Sequence, residues 1–590
     1  MGTPSKFMPI LVWGRQYRIG QLSNDAIAAV IVTIMLIPQS LAYALLAGLP
    51  PHIGLYASIL PLIGYMVFGT SRVLAVGPVA VVSLMTAAAV GQVATVGTPD
   101  YLAAAIMLAL LSGLIMILMG LLRLGFLAKF LSHPVVSGFI TASGLIIAIS
   151  QLKHILGVPA TGHSLLEIAQ SLHGQLDAIN TTALVFGAVS LLFLYWSRSH
   201  LRPSLERLGL SGSVASNLAR AGPLLAIFAA IGAVHYLDLH EALPIVGDIP
   251  NTLPTLALPQ LDLGLVKEIF LPALMISVIG FVESVSVART LASRTNHNID
   301  PDQELLGLGS ANLLSSVSGG YPVTGGFARS VVNSDAGAAT PAAGGLTAIG
   351  IALATVFFTP FLYFLPKAVL AATIIVAVLS LIDVKTLKQS WHYSKSDFAA
   401  ASLTVAVTLL AGVELGVATG ALSSIALYLL KSSQPHIAEI GQVPQTQHFR
   451  NVLRHRVVTS ERILSLRVDE NLFFANAVHL QRFIEERLHT RATLKHVVLN
   501  CVSISQIDSS ALEVLDTLNR KLIAADIGFH LCELKGPVED RLRRNDFLDH
   551  LNGDVFLHHY EAVNALDVLV YPPLKITRIS FEDVEEGSHI

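Results

Sequence analysis

Charge is scarce in this 590-residue chain. Charged residues make up 13% of it and apolar residues 53%, against a usual charged share of roughly 25%. Mean hydropathy is +0.65. These values exclude a disordered chain and an ordinary soluble enzyme of this length. Cysteine is almost missing. Cys501 and Cys532 both lie near the C-terminal end, so neither a disulfide framework nor a cysteine knuckle for a metal can be built, which fits a reducing compartment. There is no excess of positive charge either. The net charge of −3 argues against a nucleic-acid partner, which calls for a basic face. No metal-ligand spacing, P-loop or nucleophile elbow occurs, and the 21 histidines are scattered. An enzyme is therefore not expected, nor a metal or cofactor. Lys6, Arg15 and Arg18 precede the first apolar run, with no small-residue cleavage site after it. That pattern predicts an uncleaved first span rather than a signal peptide.

What is present is a step in charge. Residues 1–440 hold 39 charged residues and residues 441–590 hold 38. A long membrane part followed by one soluble domain of ordinary composition explains the step. A span needs about 20 apolar residues, and no charge occurs between Asp25 and Arg72. That is room for two spans, turning at Gly48-Leu49-Pro50-Pro51-His52. Further uncharged runs bring the expected total to 14 segments, several of them too short to span comfortably, such as 368–382 and 398–412. Short, Gly- or Pro-broken segments in both halves point to a transporter of inverted repeats. Fifteen Lys and Arg fall in one set of loops and only Lys153, Lys267 and Lys367 in the alternate set. The positive-inside rule then puts the N-terminus in the cytoplasm, and the even count puts the C-terminal domain there too. Asn180-Thr181-Thr182 matches the glycosylation sequon, a weak signal. Gly412, Gly416 and Gly420 follow small-xxx-small spacing, read as close helix packing or as a dimer face.

Expected domains are a cytoplasmic segment 1–24, a transport domain 25–432, a linker 433–445, a soluble domain 446–572 and a disordered acidic tail 573–590.

Two broken segments carry the chemistry. One runs from Arg72 through Gly77-Pro78-Val79 to Ser83; the other runs from Gly319 through Gly325-Gly326-Phe327-Ala328-Arg329 to Ser330. In each, irregular chain precedes a run that can be helical, with Pro78 suited to a helix's first position. A helix starting in mid-membrane presents free N–H groups and the positive end of its dipole. Two such starts facing each other make an anion site. Arg329 falls in the first turn of the second, where an unpaired cation costs at least roughly 2.5–3.5 kcal/mol. It needs an anionic partner, either a ligand or a structural pair with Glu283 or Asp335, unless it lies at a helix end and reaches interfacial water. Glu283 lies in an uncharged run. It is a candidate proton carrier, a sodium ligand together with Ser284 and Ser286, or a fixed counter-charge to Arg329. Gln39, after Pro38, and Tyr43 one turn later share a helix face.

These residues resemble the SulP anion permeases, relatives of the animal solute-carrier anion exchangers of the prestin and pendrin type. The resemblance rests on Ile37-Pro38-Gln39-Ser40-Leu41-Ala42-Tyr43-Ala44 with Gly48-Leu49-Pro50-Pro51 and Gly54-Leu55-Tyr56. It continues in Gly69-Thr70-Ser71-Arg72 with Val76-Gly77-Pro78, in Phe281-Val282-Glu283-Ser284, and in Tyr321-Pro322 through Arg329-Ser330. It implies two inverted seven-segment repeats, a core domain moving against a gate domain by alternating access, and a homodimer. Carried over residue by residue, it implies an anion site from Gln39, Tyr43, Gly77, Pro78, Val79, Phe327, Ala328 and Arg329, with Glu283 handling the coupling ion. Many relatives place a hydroxyl where this chain has Ala328. A glutamate at Glu283 resembles the proton-coupled members, an aspartate there the sodium–bicarbonate branch.

From about residue 440, short strands such as Arg462–Val468 and His496–Val502 alternate with helices such as 477–488 and 512–525. Alternation of this kind means an α/β sandwich. The order resembles a STAS domain, in which Asp508-Ser509-Ser510 matches a phosphorylated loop. A plain helix cap explains the same residues. The expected function is proton-coupled sulfate symport in the plasma or inner membrane. The alternatives are sodium–bicarbonate symport, C4-dicarboxylate symport, anion exchange, or a membrane-tethered signalling protein with a cytosolic STAS partner.

Overall fold

A computed structural model describes residues 7–129, 132–162, 164–209, 215, 222–259, 262–295, 298–379 and 381–567. The expected tail 573–590 lies outside the described residues. The chain divides into two units, 1–425 and 426–590.

Unit 1 is helical, and seven of its described helices are long and apolar enough to cross a membrane. The first spans Ile19–Leu46, so it begins before the charge that had marked its start. Asp25 is wholly buried. It accepts from the Ala339 and Thr340 N–H groups at 2.7 and 3.1 Å and from the Thr340 and Tyr17 hydroxyls at 2.6 and 3.1 Å. Pro51–Tyr56 and Leu60–Phe68 form the second segment, after a turn in which Gly48 takes φ +76°. Pro99–Leu121 packs on Pro301–Val317 and Leu263–Thr295, while His133–Ser150 packs on Lys367–Leu379 and Lys395–Ala411. The expected repeat is visible in two places where helix gives way to extended chain. Residues 73–79 lead into the half-helix Ala80–Gly91, and residues 320–326 lead into the half-helix Phe327–Asp335.

The two extended arms meet. β1 (Val76–Gly77) pairs antiparallel with β2 (Thr324–Gly325). In lipid every backbone polar group needs a partner within the protein, and here side chains supply what two residues of ladder cannot. Asn312 does most. Its Nδ2 donates to the Val323 carbonyl and its Oδ1 accepts from the Val323 N–H, both at 2.9 Å. The Ser315 hydroxyl donates to the Tyr321 carbonyl at 2.7 Å. On the other arm, Asn333 Nδ2 donates to the Val73 carbonyl at 3.0 Å and the Ala75 N–H donates to Ser330 Oγ at 2.9 Å. Asn312→Leu would leave two buried backbone groups unpaired, a cost of about 2–6 kcal/mol at 1–3 kcal/mol each. A lowered Tm in detergent, with faster amide exchange over 321–325, is the expected result.

The glycine stripe packs helices within the chain. A Cβ on Gly416 would stand 1.9 Å from Thr408 Oγ1, and one on Gly420 2.8 Å from Val135 Cγ1. Asn180, of the sequon, caps the Thr181–Trp196 helix through Oδ1 and donates to the Ala242 carbonyl at 2.8 Å.

Unit 2 is a six-stranded sheet in the order β4-β3-β5-β6-β7-β8. β5 (Ile463–Val468), β6 (His496–Asn500), β7 (Gly528–Cys532) and β8 (Val555–Phe556) are parallel. β3 (Ile437–Gln442) runs antiparallel to β5 and to β4 (Phe449–Asn451). β3 occupies the stretch expected to be a linker. Its Ile437, Ala438 and Glu439 pair with Val468, Arg467 and Leu466, so these residues belong to the sheet. Side chains alternate across it. Leu464, Leu466, Leu499 and Leu531 face one core with the Ala477–Thr490, Ser509–Ala524 and Gly536–Arg544 helices, while Ile463, Val498 and Cys532 face the His559–Leu566 helix. Both faces are covered, as an α/β sandwich requires.

Candidate functional site

Pairing of β1 with β2 brings the two half-helices to the same place. Ala80–Gly91 starts three residues after Gly77, and Phe327–Asp335 starts two residues after Gly325. Their N-caps are Val79 and Gly326, and neither makes a side-chain cap. The first N–H groups of a helix have no partner within it, so both starts present free donors and a positive dipole end. Pro78, itself buried, stands before the N-cap rather than at the first helical position, and its carbonyl takes on a second role.

Arg329 fills the space between the arms. It is 2% exposed. Nη1 donates to the Pro78 carbonyl at 2.7 Å, which ties the second half-helix to the first arm. Nη2 is buried with no hydrogen-bond partner. Among the described residues no carboxylate pairs with it, neither Glu283 nor Asp335. Glycine makes room for the guanidinium: a Cβ on Gly77 would lie 3.2 Å from Nη1, and one on Gly326 2.8 Å from Nε. Tyr43, from the first helix, lies within electrostatic reach of both Arg329 and Glu283. Gln39, one turn before Tyr43, is half-buried. Phe327 and Ala328, in the first turn of the half-helix, are exposed.

Glu283 mirrors Arg329. Its Oε2 is buried without a partner. A cleft of about 560 Å³ runs past it, lined also by Phe327, Arg289, His133, Ser137 and Asp383. His133, Arg289 and Asp383 stand at the ends of their segments that carry the Lys- and Arg-rich loops. Beside Glu283 a second cavity of about 20 Å³, also lined by Thr404 and Gly420, has room for about one water. Ser284 is engaged elsewhere. Its Oγ accepts from the Gly325 N–H at 2.9 Å and lies 2.6 Å from Thr324 Oγ1. Ser286 lines the cleft.

The structure thus brings Gly77, Pro78, Val79, Phe327, Ala328, Arg329, Tyr43 and Glu283 to one region. Sequence reasoning missed Asn312 and Glu304, which hold that region in shape. An asparagine in mid-span is a known sign of interhelical hydrogen bonding, and that signal was available. Glu304 accepts from the Tyr65 hydroxyl at 2.6 Å, from the Thr70 and Ser71 N–H groups at 2.8 and 3.1 Å, and from the Thr70 hydroxyl.

In unit 2, Asp508 Oδ1 accepts from the Ala511 N–H at 2.8 Å and Oδ2 from the Phe474 N–H at 2.9 Å. It caps the helix in which Ser509 and Ser510 form the exposed first turn. Burial pushes the Cys501 thiol up to about 12 and raises that of Cys532 as well, so both stay protonated and unreactive at neutral pH. Burial lowers His559 to about 4, and its Nδ1 lies 3.0 Å from Cys532 Sγ.

Comparison with known proteins places both units. The model of the sulfate permease family matches residues 22–404, and that of the STAS domain matches residues 455–562. A relative in Arabidopsis thaliana, "Sulfate transporter 4.1, chloroplastic", is 35% identical over 94% of this chain and 82% of its own length. The structure of the murine Solute Carrier 26 family member A9 anion transporter in the inward-facing state is similar, with a TM-score of 0.85 at 23% identity, covering 95% of this chain and 94% of that one. The transmembrane domain of the cyanobacterial bicarbonate transporter BicA covers 69% of this chain and 98% of its own, with a TM-score of 0.58 at 20% identity. These two structures share the fold.

Proposed function

Because the chain belongs to the sulfate permease family, and is an integral-membrane anion transporter with a STAS domain, we propose that it carries sulfate into the cell with protons. The anion binds between the N-termini of Ala80–Gly91 and Phe327–Asp335, with Arg329 Nη2 and the free N–H groups of both half-helices as donors and Tyr43 and Gln39 closing the site. The proton rides on Glu283. One observation carries this reading: the opposite charges Arg329, buried, and Glu283, half-buried, each keep a buried atom without a partner and do not pair with each other. A fixed counter-charge would be bonded to its partner. Each charge is instead left for a mobile ion.

Energetics favour a co-ion. Moving one charge against 100 mV costs about 2.3 kcal/mol, so a dianion entering a negative-inside cell faces roughly 4.6 kcal/mol; one proton halves that. The commitment of the Ser284 oxygen to the Gly325 N–H leaves fewer oxygens for a sodium ion near Glu283, which favours the proton. The excess of Lys and Arg in one set of loops supports a cytoplasmic side for both termini, and with it a cleft beside Glu283 that opens inward. The half-helices travel with the core, against a gate that includes His133–Ser150 and Lys395–Ala411, and two copies form a homodimer. Ser509 and Ser510 serve as helix-cap neighbours and need no phosphorylation for that role.

The test is labelled-sulfate uptake into proteoliposomes with an acidic exterior. Wild-type protein accumulates sulfate only with the pH gradient. Glu283→Gln abolishes acid-driven accumulation and still exchanges sulfate for sulfate, because the amide mimics the protonated carboxyl. Uptake that follows a sodium gradient and ignores pH would overturn the proton reading and favour sodium–bicarbonate symport.

A further inference from the structure

The Leu263–Thr295 helix that carries Glu283 also holds the strand that aims Arg329. Thr324 donates to the Gly280 carbonyl at 2.7 Å. Ser284, one turn after Gly280, has Oγ 2.6 Å from Thr324 Oγ1 and accepts from the Gly325 N–H at 2.9 Å. With the Thr324 proton committed to Gly280, the Ser284 hydroxyl donates to Thr324 Oγ1. Gly280 permits the approach: a Cβ there would stand 3.1 Å from Thr324 Oγ1. Ser284 and Thr324 are both wholly buried. The docking residues Gly280 and Ser284 thus bracket Glu283 within one helical turn. Only Gly326 separates Gly325 from the half-helix whose first turn contains Arg329.

We propose that Ser284 is a positioning residue that couples the protonation of Glu283 to the anion site, by locking the Glu283 turn to the Thr324–Gly325 strand. The inference rests on the reading of Glu283 as proton carrier. A shift of that turn when Glu283 gains its proton is transmitted through Ser284 Oγ to the Gly325 N–H. From there it reaches the Phe327–Arg329 donors. Among the described residues, the charged or titratable groups around Glu283 are Arg329 and Tyr43 from the facing elements, Arg289 on its own helix, and His133 and Asp383 across the cleft. None of them touches both the Glu283 turn and the strand as Ser284 does.

The experiment measures sulfate KM against external pH in proteoliposomes for wild type, Ser284→Ala, Ser284→Thr, Thr324→Val and Thr324→Ser. Coupling between sites typically amounts to about 5- to 150-fold in affinity, and acid is expected to lower the wild-type KM by a factor in that range. In Ser284→Ala and Thr324→Val the acid effect shrinks below about twofold, while Ser284→Thr and Thr324→Ser, which keep the hydroxyls, restore it. Thr324→Val preserves side-chain volume, so it reports even where Ser284→Ala folds poorly. An acid effect of wild-type size in both hydroxyl-deleting variants would overturn the inference and leave Ser284 a purely structural contact. A wild-type KM that ignores pH would overturn the proton reading itself, and that failure shows before any variant is compared.

Discussion

Arg329→Ala is expected to abolish sulfate binding while leaving the ligand-free protein as stable as wild type, or more so. The split follows from how the guanidinium is bonded. One arm is spent on the Pro78 carbonyl at 2.7 Å, and the other is buried without a partner. Without a ligand, Arg329 is a desolvated cation in mid-membrane, which costs at least roughly 2.5–3.5 kcal/mol. Alanine removes that penalty and leaves the Pro78 carbonyl unpaired, at about 1–3 kcal/mol. With sulfate the balance reverses. Truncating one partner of a buried hydrogen-bonded charge pair costs about 2–5 kcal/mol, and at 1.4 kcal/mol per decade that is about 30- to 4,000-fold in affinity. Thermal unfolding with and without sulfate checks both halves, because a ligand that binds only the native state raises Tm with its concentration. The expected variant has an unchanged or raised Tm in the absence of sulfate and no response to added sulfate. A lowered ligand-free Tm would mean that Arg329 is a structural cation.

Much of the architecture was legible because charge is so expensive in hydrocarbon that its absence marks the spans. The irregular chain at Gly77-Pro78 and Gly325-Gly326 was legible too, since glycine and proline break helices for local reasons. What stayed hidden were partnerships between distant residues. Nothing near Val76 shows that it pairs with Gly325. Asn312, Ser284 and Glu304 satisfy backbone groups brought near only by the fold. Reading charges as punctuation also misplaced one of them: Asp25 looked like the border of the first span and is a wholly buried acceptor inside its helix. β3 falls within the expected linker because a single short strand between a helix and a turn has no local signature. Its identity comes from β5, more than twenty residues on.

The site residues divide along the same line. Arg329 and Glu283 were visible as charges without neighbours of opposite sign. That they form no ion pair with each other is a property of the fold, which no local stretch of sequence displays. Val79 and Gly326 as N-caps carry the same message. A side-chain cap from Ser, Thr, Asp or Asn would take up one of the free N–H groups at a helix start. These two starts lack a side-chain cap, so no cap side chain takes up their first N–H groups.

Glu304→Ala should be among the most destabilising single changes in the transport domain, and it should stop transport without touching the anion. Glu304 is wholly buried and accepts from two N–H groups and two hydroxyls, on Tyr65, Thr70 and Ser71. Thr70 and Ser71 lead into the arm that ends at Gly77 and Pro78. Alanine would orphan two buried backbone donors, at about 1–3 kcal/mol each, and two hydroxyls besides, so a loss on the order of 4 kcal/mol or more is expected. Such a loss is a large fraction of the 5–15 kcal/mol that holds a typical domain. Glu304→Gln distinguishes the cause. Its carbonyl oxygen can still accept from Thr70 and Ser71, and its amide can donate to the Tyr65 oxygen, because a phenol accepts as well as donates. Gln should therefore recover most of the Tm and part of the uptake, with alanine recovering neither. If Gln and Ala were equally damaging, the negative charge of Glu304 would be what the site requires, and its role would lie in the field at the half-helix rather than in the geometry of the arm.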